Sequence, residues 1–486
     1  MIIFGINDSS HDASLSVLGD GEILFAAHSE RYNKEKNTYW LSPELVDQAF
    51  EFGIPDVIAY FERRSKKRLR RAIYGGVNGD YKNLYRRFFG EFSRTTEIQV
   101  NHHKSHAAAG FFTSKFDDAT IVVIDAIGEF ETASAWHGTG NNLTMFKRLK
   151  YPVSFGLFYS AYTHLLGLKP GTEEYILMGM SAYGDKSRFL EDVNSSFPKY
   201  DVQPYSFHKG VRNWNKPVDD DQSRFDVAAA VQDVFETRLM EFMTEVRRES
   251  QTGNLVFMGG CALNCLANRR LYELWDNIWI MPNPGDAGSS LGAALSVHGS
   301  HVKWTGPYLG HNIDAPYPVD QVLSSLLENK ISGVAVGRAE FGPRALGNRS
   351  LFADPRDPDI KSIVNKVKRR EEFRPFAPVI LAEHASEWFG IRGESPYMQF
   401  AVRCRKPDLI PSVVHVDGTS RVQTVTREQH PGLYDLLVRW KEKTGIPVLL
   451  NTSLNIKNQP LINDASDARA WQVEYPDVPI FYGQGA

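Results

Sequence analysis

Ala119-Thr-Ile-Val-Val-Ile-Asp125 decides how the chain is read. Its six uncharged residues, most of them β-branched, make a short buried strand that ends on a carboxylate. A polar turn, Ala126–Glu129, follows, and Thr132–His137 returns as a second strand. The same grammar opens the chain. Ile2–Ile6 is apolar, Asn7–His11 is polar and turn-like, Ala13–Leu18 alternates, and Glu22–His28 returns after Gly19-Asp20-Gly21. Two strand–loop–strand units about 115 residues apart predict a duplicated α/β core.

Two glycine junctions follow. Leu255–Met258 reads as a strand ending in Gly259-Gly260, before a helix-like run, CALNCLANRRLYEL. Glycines at such a junction can expose helix N–H groups to phosphate. Asn264 and Asn268, four apart, could contact a nucleotide or simply cap and line the helix. Asn283-Pro-Gly-Asp-Ala-Gly-Ser-Ser290 then precedes an apolar helix, LGAALSVH. From His298 to Val319 the sequence is loop-like and reads as a linker. Beyond it, Gly333–Gly337, Pro378–Ala382 and Pro447–Asn451 read as strands, and Ile360–Arg370 and Leu433–Lys443 as helices. The expected domains are therefore 1–315 and 320–486, both α/β.

Gly342-Pro-Arg-Ala-Leu-Gly-Asn-Arg-Ser350 puts two arginines and two glycines into nine residues. With Arg338, Lys368 and Arg374 it suggests a cationic site for a small, multiply charged phosphate compound. Guanidinium forks grip phosphate, and glycine lets backbone N–H groups approach an anion. A solvated basic loop is the plain alternative.

Asn101-His-His-Lys-Ser-His106 places His102 and His106 four apart, on one face of a helix. With Asp125 and Asp286 they form a donor set suited to Fe(II), Mn(II) or Zn(II). Hydrogen-bonded helix-start histidines are the alternative. His11, in a turn after the first strand, could act as a base or cap its loop. Glu129, after Gly128, could bind a metal-bound water or a ribose hydroxyl, or stay solvated. Arg63–Arg71 holds seven basic residues in nine and is expected to be a solvated helix face, with an anionic partner as the alternative.

The 486 residues suggest two to four domains, two of them large. The formal charge of −3 does not favour bulk binding to nucleic acid. Three cysteines, Cys261, Cys265 and Cys404, allow no disulfide framework and no CxxC zinc motif, which points to a reduced, cytoplasmic compartment. No signal peptide and no membrane span are expected.

Eleven stretches in order carry a family resemblance. They are HDAS (His11–Ser14), SERY (Ser29–Tyr32), HHKSHA (His102–Ala107), GLFYSAYT (Gly156–Thr163), EYILMGMSAYG (Glu174–Gly184), GGCALNCLAN (Gly259–Asn268) and NPGDAGSSLGAA (Asn283–Ala294). GRAEFGPRALGNRSLFADPR (Gly337–Arg356), VKRREEFRPFAP (Val367–Pro378), HVDGTSRVQTV (His415–Val425) and PVLLNTSLN (Pro447–Asn455) complete the set. The chain resembles the O-carbamoyltransferases of the NodU/CmcH/TobZ family along nearly its whole length.

The resemblance implies an actin-like (ASKHA, TsaD-like) duplicated α/β domain followed by a YrdC-like α/β domain. It implies that the second makes carbamoyl adenylate from carbamoyl phosphate and ATP, with Mg, and that the first transfers the carbamoyl group to a hydroxyl-bearing acceptor and releases AMP. It places iron on His102, His106, Asp125 and Asp286. The phosphate-handling groups would be Arg338, Arg344, Lys368, Arg374 and Arg421, and His11 would lie at the transfer site. The candidate nucleotide contacts are Gly128, Glu129, Gly259, Gly260, Asn264 and Asn268. Clustered cations would offset the repulsion between two phosphate-bearing reactants. Fusing the two activities would limit hydrolysis of a labile adenylate. The competing readings are a TsaD-like tRNA-modifying enzyme and a non-catalytic actin-like nucleotide-binding regulator. A HypF-like enzyme would need the opposite domain order and cysteine-rich zinc motifs.

Overall fold

The computed structural model describes residues 1–8, 11–74 and 95–483. They form two compact units, one of Met1–Ser29 with Asn37–Trp304, the other of Glu30–Lys36 with Thr305–Ala486. Both are α/β, with mixed sheets.

The first unit holds two five-stranded sheets. One contains β1 (Ile2–Asn7), β2 (Ser14–Gly19), β3 (Glu22–His28), β4 (Val57–Phe61) and β5 (Thr96–Val100), in the order β3-β2-β1-β4-β5. The other contains β6 (Asp118–Gly128), β7 (Glu131–Thr139), β8 (Asn142–Lys150), β9 (Asn254–Met258) and β10 (Asn277–Trp279), in the order β10-β9-β6-β7-β8. In each, three strands form an antiparallel meander and two add in parallel. The duplication anticipated from the strand–loop–strand pattern is thus a repeated strand order. The β6/β7 register breaks between Ile124 and Gly128, so β6 runs past Asp125 and carries it on an irregular edge.

Each sheet hands its last strand to a helix, His102–Thr113 after β5 and Ser289–His298 after β10. Every residue of the first helix except Lys104 is buried, so its histidines sit in the interior. Asn101 starts it by accepting the Lys104 N–H. The expected long helix after Gly259-Gly260 is broken instead into short pieces, Gly260–Leu263, Cys265–Asn268 and Arg269–Glu273. Asn264 interrupts it by capping the next turn through the Ala267 N–H.

In the second unit the strands are β11 (Tyr308–Ile313), β12 (Ile331–Ala335), β13 (Gly337–Glu340), β14 (Arg349–Ala353), β15 (Ala377–Leu381), β16 (Ala401–Arg403), β17 (Thr419–Arg421), β18 (Gln423–Val425), β19 (Val448–Ser453) and β20 (Ile480–Phe481). A six-stranded sheet runs β18-β15-β19-β14-β12-β20. Val334, Phe352, Val379 and Leu449 on it pack with Val322 and Leu326 of the Val319–Asn329 helix and with Leu433, Leu437 and Trp440 of the Pro431–Thr444 helix. The segment read as a linker is not all loop, because β11 pairs antiparallel with β13. Its partner lies too far along the chain for local periodicity to reveal. Among the described residues no helix is long and apolar enough to cross a membrane.

His430 starts the Pro431–Thr444 helix. Its Nδ1 accepts the Leu433 N–H at 3.0 Å, so the neutral ring carries its proton on Nε2 and donates to Asn348 Oδ1 at 2.9 Å. Burial lowers its pKa from 6.5 to about 4. The unfolded chain therefore binds a proton between those values that the folded chain refuses, and the stability is present above pH 6.5 and lost as pH falls toward 4. Wild type is expected to lose about 3 kcal/mol more over that interval than His430→Asn. Parallel denaturant titrations at both ends would show it, and identical pH slopes would contradict it.

Candidate active site

Four side chains meet inside the first unit. One donor atom from each of His102, His106, Asp125 and Asp286 lies within 4.8 Å of the others, and all four residues are buried. His102 Nε2 is 3.0 Å from Asp125 Oδ2 and 3.5 Å from Asp286 Oδ1, and His106 Nε2 is 3.3 Å from Asp286 Oδ1. The helix repeat puts both imidazoles on one face. Asp125 comes from the break in β6, and Asp286 from the turn before the Ser289–His298 helix.

Two imidazoles and two carboxylates with converging donor atoms fit a divalent transition metal by number, type and burial. The other ring nitrogens are held too: His106 Nδ1 is 3.0 Å from Ser289 Oγ, and His102 Nδ1 is 3.4 Å from Glu62 Oε2. Without a cation, burial lowers both rings, but the carboxylates prevail. Asp286, Asp125 and Glu62 raise His102 to about 10, and Asp125 and Asp286 raise His106. A metal must displace those protons, so uptake releases them.

His11 faces this cluster. Its Nε2 is 3.6 Å from Asp286 Oδ2, and its Nδ1 is 2.9 Å from Asp12 Oδ2. Although the side chain is 47% exposed, desolvation against the cluster lowers the ring's pKa, and Asp12, Asp286 and Asp125 outweigh that and raise it above the ordinary value. A cation on Asp125 and Asp286 would relieve two of those three carboxylates. Buried Asn7 at the end of β1 positions the loop, since its amide donates to the carbonyls of His11, Asp12 and Asp286.

The remaining candidates in this unit make close contacts within the chain. Gly128 has no side chain because a Cβ there would lie 2.2 Å from the His102 ring. Glu129 is fully buried, and Arg63 and Asn101 occupy its carboxylate. It is held by the chain's own donors and not left solvated. At Gly259, with φ of 90°, a Cβ would meet the Ile124 carbonyl at 2.2 Å, so the glycine allows strand packing. Gly260 opens a single short turn. Asn264 pairs with Gln232 and caps the next turn through the Ala267 N–H, and Asn268 donates to the Ala262 carbonyl.

In the second unit Lys368 is the most buried of the basic candidates. Its ammonium meets oxygens of Ser453 and Asn455, including Asn455 Oδ1 at 2.7 Å. Burial, then Arg370, Arg374 and Lys36, hold its pKa well below the ordinary lysine range. A phosphate beside it would restore the charge. Arg374 reaches Glu371 at 3.5 Å. Arg338 donates to the carbonyls of Leu309 and Gly310. Arg344 is half-buried in its loop, and Arg421 half-buried at the end of β17.

The Gly342–Ser350 loop differs from the phosphate cradle expected of it. The N–H groups of Leu346, Asn348 and Arg349 point at Glu340 Oε1, at 2.7, 2.9 and 3.3 Å. The anion they approach is the chain's own. Arg349 is wholly buried and spends its guanidinium on the carbonyls of Val336, Gly337, Asn348, His311 and Asn463. Arg31 likewise donates to the carbonyls of Glu340 and Gly342, which ties Glu30–Lys36 into this unit.

Residues 90–295 match the family description "Carbamoyltransferase N-terminus", and residues 323–476 match "Carbamoyltransferase C-terminus". Nodulation protein NolO of Bradyrhizobium diazoefficiens is 34% identical over 76% of this chain and 75% of its own. The chain belongs to the carbamoyltransferase family. This carbamoyltransferase is also 28% identical to the 3'-hydroxymethylcephem-O-carbamoyltransferase of Amycolatopsis lactamdurans, over 94% of each chain. Among solved structures, phosphate- and nucleotide-bound HypF covers 61% of the carbamoyltransferase and 46% of itself, at 13% identity and a TM-score of 0.37.

The basic run of the carbamoyltransferase is not one solvated face. Lys67 is 2% exposed and paired with buried Glu62. Arg63 is locked on Glu129, Arg64 pairs with Glu97 at 3.2 Å, and Arg70 donates to the Ile127 carbonyl. Lys66 and Arg68 remain exposed, while the side chain of Arg71 lies outside the described residues. Asn7, Glu62 and Lys67 escaped the sequence reading. Among the described residues of the run Lys67 is the buried one, and its charged neighbours hide it in the sequence.

Proposed function

We propose that this carbamoyltransferase is an ATP-dependent O-carbamoyltransferase with an actin-like, TsaD-like first unit and a YrdC-like second unit. In the second unit, water hydrolyses carbamoyl phosphate, breaking its bond to phosphate, and leaves carbamate and free phosphate. Its oxygen attacks the α-phosphorus of ATP, and pyrophosphate departs. Lys368 and Arg374, with Arg338, Arg344 and Arg421, hold the phosphates and offset their mutual repulsion. In the first unit an acceptor hydroxyl attacks the carbamoyl carbon, the C–O bond to AMP breaks, and AMP leaves.

The observation that carries the reading is the meeting of His102, His106, Asp125 and Asp286 with His11 Nε2 turned toward Asp286. When bound, Fe(II) supplies Lewis-acid polarisation, and Mn(II) or Zn(II) suits the same donors. His11 takes the hydroxyl proton at Nε2 while Asp12 orients the ring through Nδ1. Acceptors are small hydroxylated molecules, by analogy with the hydroxymethylcephem named for the Amycolatopsis lactamdurans relative. The commitments of Lys67, Arg63 and Arg70 inside the unit weigh against a tRNA-binding face.

Metal-loaded protein given ATP and carbamoyl phosphate is expected to release pyrophosphate. A panel of alcohols with labelled carbamoyl phosphate should yield one product heavier by one carbamoyl group by mass spectrometry. Pyrophosphate at the no-enzyme rate would overturn the assignment.

A further inference from the structure

We propose that Glu62 and Lys67 form a positioning pair that fixes the proton of His102 on Nδ1 and so aims its Nε2 lone pair at the metal site. The inference rests on the reading of the His102, His106, Asp125 and Asp286 cluster as a metal centre.

Neither residue joins the donor set. His102 Nε2 faces Asp125 and Asp286, where a ligating nitrogen must present a lone pair. The proton then belongs on Nδ1, and the acceptor there is Glu62 Oε2 at 3.4 Å. A buried carboxylate needs a partner, and Lys67 supplies one from a helix otherwise rich in exposed charge.

The placement is costly in backbone terms. Glu62 has φ of 63°, a left-handed conformation that a glutamate rarely adopts, immediately after β4. That turn aims its carboxylate back at the His102–Thr113 helix. The preceding residue serves the same end, since the Phe61 ring lies 4.4 Å from the His102 ring by centroids. Gly128 leaves room for that ring where a side chain would collide with it. His102 is thus confined by Phe61 and Gly128, and oriented by Glu62.

Co(II) is a suitable probe, since its visible spectrum reports the ligand set. Metal-free full-length protein would be titrated with Co(II) as wild type, Glu62→Gln, and Glu62→Gln with Lys67→Met. The double variant removes both charges together, so no unpaired ion is left inside. Both variants are expected to bind Co(II) about 10–100-fold more weakly, the usual cost of losing an outer partner of a ligating histidine. Native-like circular dichroism of the metal-free double variant separates this from unfolding. Variants that fold and bind Co(II) with wild-type affinity and spectrum would overturn the positioning role alone. A wild type that takes up no Co(II) would overturn the metal centre as well. Zn(II)-loaded wild type offers a check without substitution. Nitrogen NMR should find the His102 proton on Nδ1, and a proton on Nε2 refutes the proposal.

Discussion

His11→Ala is expected to reduce carbamoyl transfer by about 10²–10⁴-fold, the range for loss of a general base, while ATP–pyrophosphate exchange stays within about twofold. The division follows from placement. His11 belongs to the first unit, with Nε2 directed at Asp286 and Nδ1 at Asp12. The cationic groups assigned to adenylate formation, from Arg338 to Arg421, all belong to the second. An alcohol is a poor nucleophile until its proton has somewhere to go, so the loss should appear in the transfer step. Its partner should show itself as well: Asp12→Asn leaves the imidazole but weakens its orientation, and a smaller loss in the same assay is expected. The measurement is exchange of labelled pyrophosphate alongside acceptor carbamoylation on one preparation. Equal loss of both activities in His11→Ala would break the assignment of His11 to transfer.

Adding one methyl group at Gly128 should weaken metal binding at the centre proposed on His102, His106, Asp125 and Asp286. The Cβ of Gly128→Ala would lie 2.2 Å from His102 Cδ2 and 2.4 Å from Cγ, well inside contact distance. Phe61 stands against the same ring, and the helix bearing His102 is buried on nearly all sides, so the ring has little freedom to yield. Turning it moves Nε2 off Asp125. We expect at least a ~100-fold loss of affinity, the upper end for disturbed ligand orientation, and transfer activity lost in proportion. Metal content after dialysis against buffered Co(II), with circular dichroism to confirm folding, tests it. Full occupancy in Gly128→Ala would show that the ring can relax, and the steric account would be wrong.

The sequence by itself determined the elements whose cause is local. The β-branched runs at Ile2–Ile6 and Ala119–Asp125 became central strands because alternation and apolar content act over a few residues. The pairing of His102 and His106 was legible because the helix repeat is local, and Asp286 because it stands just before a helix, whereas Asp125 reads as a strand end but lies inside β6, at its irregular edge. Only the tertiary structure decided the fate of charges and turns whose partners are distant in the chain. Arg349 resembles a phosphate ligand until it is seen buried among five carbonyls. The N–H groups of its loop suit an anion, and Glu340 is that anion. Glu129 reads as an open acid but is closed by Arg63, 66 residues away. Lys67 reads as solvated and is the counter-ion of the carboxylate behind His102. A charge enters the interior only with a partner, and partners are chosen by the packing of sheets and helices, which nearest-neighbour patterns do not encode.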